Sequence, residues 1–249
     1  MVRFIQAVME LIDRQQYISW KLPKDWHIIL TSNPDNGDYL VNSVDNAQKT
    51  RYITANLKFD IKVWAKWAEE SKIDNRCINF LLMHPELVTT QTNARSITTF
   101  FNSISSIPVF EDKLSLIQMI GEGSVGSEFA SMFNMFIHNK LDKLITPEDI
   151  MVKDEAYVKG FLSGVIGKEE AYRSDIASAL ATRLVNYNVY HSNNNPVTPA
   201  IIDRLTYLLT NEIFGIDLNY YIIKNIMSGN KTKFSKLLMN PDVIKMAVK

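Results

Sequence analysis

The chain has 249 residues, 46% of them hydrophobic, and its 27 Lys and Arg are balanced by 27 Asp and Glu. That length and composition suit one large or two small globular domains with a real core, and exclude a disordered or fibrous chain. Zero net charge removes the electrostatic argument for a general nucleic-acid or membrane-surface binder. A single cysteine, Cys77, leaves no intramolecular disulfide or thiolate zinc cluster and fits a reducing cytoplasm. No apolar run approaches the roughly 20 residues of a bilayer span, and charge mixed into the first ten residues argues against a secretory signal.

In chain order, residues 3–16 place Phe4, Ala7, Val8, Leu11 and Ile12 on one helical face. Tyr17 to Leu22 is β-branched and aromatic before Pro23, which predicts a short hairpin arm or edge strand. His27 to Thr31 is a nearly unbroken apolar run closed by Asn33-Pro34-Asp35-Asn36-Gly37, the pattern of a strand covered on both faces. Ser43 to Thr50 predicts a short helix and Tyr52 to Phe59 a further strand. Such a strand needs neighbours on both edges, and the first 60 residues supply only two or three, so either the helical region wraps this sheet or the sheet is completed by residues outside this chain.

From Asp60 the period becomes helical. Asp60 and Asp74 are N-caps for helices carrying Val63, Trp64 and Trp67, then Cys77, Ile78, Leu81 and Leu82, with Pro85 as a stop. Trp64 and Trp67 read as core packing residues. Further helices are predicted from Thr92 through Ile104, Leu114 to Ile120, Phe129 to Ile137, Ala156 to Val165 and Ser174 to Tyr190. His191 to Pro196 reads as a loop, and Pro199 falls in the first turn of the next helix.

Several chemistries lack their residues. His27, His84, His138 and His191 are isolated, with no second ligand at metal spacing. There is no G-x-S-x-G elbow, and Cys77 lies among apolar residues, where a thiol is inert. Gly121-Glu-Gly-Ser-Val-Gly126 has phosphate-loop glycine spacing, but Ser127 and Glu128 replace the lysine and hydroxyl; Gly164-Val-Ile-Gly167-Lys168 has the lysine and the wrong spacing. Both are expected to be breaks between helices.

The informative stretch is Leu22 to Arg51, LPKDWHIILTSNPDNGDYLVNSVDNAQKTR, followed by Tyr52. A strand ending in Thr-Ser-Asn-Pro, a loop, a short helix and an Arg-Tyr entering a strand resembles the MoxR-like AAA+ ATPases. The resemblance covers roughly residues 3–105. It makes Asn33 the sensor 1 residue, the Arg51 of Thr50-Arg51-Tyr52 the arginine finger, and Arg95 of Asn93-Ala-Arg-Ser-Ile-Thr-Thr-Phe-Phe the sensor 2 arginine of the lid helix. Residues 3–12 resemble the helix directly after the Walker B strand.

The implied fold is an α/β fragment plus mostly α: residues 1–60 end a AAA+ core sheet, 61–146 form the helical lid, and 147–249 form a helical C-terminal module. The implied activity is nucleotide-driven remodelling with ATP and Mg²⁺, in a homo-oligomeric ring or together with a Walker-containing part, acting on a protein substrate and not on a membrane; nothing points to nucleic acid. Both Walker motifs are missing from these residues, so the chain alone is not expected to bind nucleotide tightly. The competing expectation is a non-enzymatic helical interaction protein that retains a relic AAA+ segment.

Overall fold

The computed structural model describes residues 2–33, 50–51, 53–90, 92–211 and 213–247, in two compact units, Met1–Lys58 and Phe59–Lys249. Among the described residues the chain is mostly helical, with one two-stranded antiparallel sheet.

In the first unit, the apolar periodicity of the opening residues forms helix α1 (Val2–Arg14). Strands β1 (Gln16–Tyr17) and β2 (Trp20–Lys21) then make the expected hairpin, pairing Gln16 with Lys21 and Tyr17 with Trp20. Its tip forces Ile18 to a φ of 53°, a left-handed conformation that a β-branched residue adopts only at a cost.

The two expected core strands are not formed. Residues 27–33 and 53–59 have no regular structure, and Ile29 is 85% and Leu57 95% exposed. A strand exists by its hydrogen-bonded ladder, and among the described residues no segment offers these two an edge. The helix expected over Ser43 to Thr50 lies outside the described residues except for Thr50, as does Tyr52, the first residue of the second expected strand.

The second unit begins with capping. The Asp60 carboxylate accepts from the backbone N–H groups of Lys62 and Val63 and starts α2 (Ile61–Glu70); Asp74 accepts from Arg76 and starts α3 (Asn75–Met83). Asn93 caps α4 (Ala94–Ile104) through the N–H groups of Arg95 and Ser96. Helices α5 (Leu114–Val125) and α6 (Ser127–His138) follow as an antiparallel pair. The expected break at Gly121 to Gly126 shrinks to Gly126 alone, whose φ of 92° no side-chain-bearing residue takes cheaply. Gly121 lies inside α5, where a Cβ would stand 2.7 Å from the Ala130 Cβ; the missing side chain lets the two helices touch.

Helices α7 (Pro147–Val152), α8 (Glu155–Ile166), α9 (Ser174–Asn194), α10 (Pro199–Thr210), α11 (Ile216–Phe234) and α12 (Pro241–Ala247) complete the unit. Pro199 is the first residue of its helix, as expected. The loop expected from His191 is helical through Asn194. The Asn195 amide donates back to the His191 carbonyl at 3.2 Å, and the Lys233 ammonium donates to the Ser192 and Asn195 carbonyls, so two carbonyls of the final turn and the one just beyond it have donors.

One continuous hydrophobic cluster runs from Trp64 to Val243, and α9 packs on α2 and α3 as well as on α7, α8 and α11. Phe80 sits at its aromatic centre, with the rings of Phe129, Phe133 and Phe136 edge-on at 4.9–5.4 Å. Trp64 joins this core, whereas Trp67, also expected there, is 46% exposed.

Candidate functional site

The three residues marked out by the sequence fall in different places. Asn33 is exposed, at the end of the irregular stretch that follows the hairpin. Arg51 belongs to the same unit, where its Nε donates to both oxygens of Asp13 at 3.0 and 2.7 Å. Asp13 sits one residue before the end of α1, so the ion pair ties the Thr50–Arg51 turn to that helix across 38 residues of sequence. Arg95 belongs to the second unit, at the second position of α4 and exposed; its backbone N–H is used by the Asn93 cap.

A polar cluster in the second unit has no counterpart in the sequence reading. Arg183, midway along α9, is 1% exposed. Its Nε donates to Glu69 at 3.1 Å, one terminal nitrogen donates to Asn79 Oδ1 at 2.7 Å, and the other donates to Asn75 Oδ1. One guanidinium thus joins α9 to the end of α2 and two turns of α3. Burial pushes the Glu69 carboxyl up to about 7 despite the opposing pull of Arg183, and the same burial pulls the Arg183 guanidinium down. The signal was present: within Ala179-Leu-Ala-Thr-Arg183-Leu-Val185, Arg183 is the one charge in an apolar run.

A second charged group surrounds Arg76. Its guanidinium pairs with Asp74 at 2.6 Å, donates to the Ile107 and Pro108 carbonyls, and lies 3.4 Å from the Phe110 ring centre. Nearby Asp142 is buried, and that burial, reinforced by the Glu111 carboxylate, raises its carboxyl. These contacts fix the turn after α4 onto α3, a structural task.

A cleft of about 660 Å³ is lined by Met83, Tyr172, Ser174, Asp175, Ile216 and Asp217, among others. Asp175 is held by Arg173 at 2.6 Å, which keeps its carboxyl below the usual range. Cys77 is fully buried, and burial pushes its thiol well up, so it is inert as expected.

Among the described residues, no group of three His, Cys, Asp or Glu side chains can hold a metal ion. Asn33, Arg51 and Arg95 carry N–H donors suited to phosphate oxygens, and their chemistry fits contact with a nucleotide's phosphates. It does not fit the cradle or the magnesium acid, and Gly121 and Gly123, inside α5, form no loop that would cradle a phosphate. Comparison with protein-family models, curated proteins and solved structures returned no match.

Proposed function

We propose that these residues form the sensor, finger and lid portion of a MoxR-like AAA+ ATPase, a nucleotide-driven remodelling machine whose phosphate cradle and magnesium acid come from a Walker-bearing segment. The observation that carries the reading is the ordered string itself: an amphipathic helix, a hairpin, His27-Ile-Ile-Leu-Thr-Ser-Asn33, then Thr50-Arg51-Tyr52, then capped helices with an arginine in the first turn of α4. Two features support it. The exposed apolar side chains of Ile29, Leu30, Ile53 and Leu57 belong to segments with strand-forming sequence and no partner among the described residues. Arg95 stands where a helix dipole disfavours a cation, so its placement gains nothing from the helix and suits an external anion.

In this reading Asn33 orients the attacking water, while Arg51 and Arg95 meet phosphate charge from a neighbouring subunit and from the lid. The purified 249-residue chain alone is then expected to show no magnesium-dependent ATP binding by calorimetry. Assembled with its Walker-bearing part, it is expected to hydrolyse ATP, and Arg51→Ala is expected to cut turnover by about 10³ or more while ATP affinity stays within a few fold. Full turnover by the Arg51→Ala assembly refutes the reading.

A second reading has its own observation. Residues 59–247 carry a continuous core, the property of a helical interaction module. The DNA upstream of Met1 separates the two: an adjacent reading frame with a phosphate loop and a Walker B acid favours the ATPase, and its absence favours the relic.

A further inference from the structure

We propose that the cleft at the start of α9 and α11 is a docking site for a second copy of this chain, which presents to it the lysine-bearing surface at the far end of its own α11. The contact lies in the second unit and uses none of Asn33, Arg51 and Arg95.

The cleft, about 660 Å³, has room for several side chains of a partner, and no Lys, Arg or His lines it. Its apolar lining includes Leu82, Met83 and Ile216, the last 59% exposed. Its charges are the carboxylates of Glu86, Asp175 and Asp217. Arg173 holds Asp175 at 2.6 Å and His84 stands 3.2 Å from Glu86, whereas the Asp217 carboxylate has no ion pair or hydrogen bond among the described residues. An apolar lining with an excess of negative charge is complementary to an apolar surface that carries cations.

Such a surface lies at the other end of α11. Between Asp217 and Asp242 the sequence has no carboxylate and four lysines, Lys224, Lys231, Lys233 and Lys236. Lys233 is occupied within the molecule, donating to the Ser192 and Asn195 carbonyls. Lys231 and Lys236 are exposed, and among the described residues their ammonium groups have no acceptor. Met239, closing the 3₁₀ turn Ser235–Met239, is 73% exposed, and Ile244 of α12, which packs on that turn, is 40% exposed. Asp242 is paired with Lys245 at 3.1 Å, so the surface stays cationic.

Distance decides whose lysines fill the cleft. Asp217 and Lys231 stand near opposite ends of the 19-residue α11, roughly 20 Å apart at the helical rise. A chain therefore cannot fill its own cleft. The contact joins unlike surfaces of two copies and leaves each copy with one of the two to offer a further copy.

Self-association of the 249-residue chain, measured by sedimentation velocity without nucleotide, tests this. The wild-type chain is expected to associate, and more weakly in about 0.5 M than in about 0.05 M NaCl. Glu86→Lys/Asp217→Lys and Lys231→Glu/Lys236→Glu are each expected to raise the Kd about ten-fold or more, because each sets like charges against one another. Residues 27–59 are the same in all three proteins, so the change traces to the cleft or to the lysines. An equimolar mixture of the two variants is expected to return to within about three-fold of wild type. In that mixture the reversed cleft meets the reversed surface, and the unaltered cleft meets the unaltered surface; rescue also shows that both variants are folded. A monomeric wild-type chain, unchanged association in either variant, or two weakened variants that fail to rescue each other overturns the proposal. Each of these results leaves the ATPase reading where it stood, since that reading is decided by the turnover of Arg51→Ala.

Discussion

Replacing Arg183 by alanine tests whether the α2–α3–α9 junction is held by one buried cation. The variant loses two apolar methylenes, Cγ and Cδ, from a site that is 1% exposed, about 1.6 kcal/mol at roughly 0.8 per methylene. It also orphans the Asn79 carbonyl, itself buried, at a cost of about 1–3 kcal/mol. Glu69 retains a little solvent access and can take up a proton, so it adds little. The sum, about 4 kcal/mol, agrees with the roughly 3–5 kcal/mol lost when one member of a buried ion pair is removed. For a unit of this size that lowers Tm by about 8–16 °C. Urea and thermal unfolding followed by helical circular dichroism measure both quantities. Arg183→Lys keeps the charge but cannot reach three acceptors at once, and is expected to lose about half as much. A loss below about 1 kcal/mol for Arg183→Ala would mean that the guanidinium is solvated, and the junction would have to be redrawn.

Two further predictions concern the same unit. Glu69 has a folded pKa raised from 4.5 to about 7, so between those values the folded state holds more protons than the unfolded chain. The Glu69 contribution to stability is therefore full below about pH 4.5 and is lost as pH rises through 7; Glu69→Gln should flatten this slope, and parallel urea titrations of both proteins between pH 5 and 8 check it. Gly121→Val places a branched side chain against the Ala130 Cβ, 2.7 Å from the added Cβ, and is expected to cost about 1–3 kcal/mol in chemical unfolding; Gly123→Ala, where a Cβ meets nothing within 4 Å, is expected to be neutral or stabilising.

Much of the helical unit was legible because its signals are local. Asp60, Asp74 and Asn93 each cap a helix whose first turn is within three residues of them, and Pro85 and Pro199 act on their own backbone. What escaped was set by distant partners. The Asn-rich segment after His191 has loop composition, but Lys233, 41 residues from Ser192, satisfies carbonyls at the end of α9 and lets the helix continue. Arg183 has the periodicity of a core residue and the chemistry of a surface one; Glu69, Asn75 and Asn79, more than 100 residues away, reconcile the two. Trp64 and Trp67 lie one turn apart, and periodicity alone could not say that the first faces the core and the second lies near its edge.

The candidate site was legible as a string of residue types and not as a geometry, for the same reason that the two core strands failed to form. A helix satisfies its backbone within itself, so α1 and the capped helices follow from their own residues. A strand satisfies its backbone only on another strand. His27 to Thr31 and Ile53 to Phe59 have the sequence of buried strands and, among the described residues, no ladder to join. The side chains that such strands would aim, Asn33 at the end of one and Arg51 at the start of the other, then lack the scaffold that gives them a common direction. Arg51 is paired with Asp13, which belongs to a helix and needs no sheet to be in place. If neighbouring strands pair with them, the exposed apolar side chains of Ile29, Leu30, Ile53 and Leu57 become buried, and the free energy of burying them is available to assemble the site. Sheet completion and site assembly are in that case one event, because the residues that drive the first are the residues that aim the second.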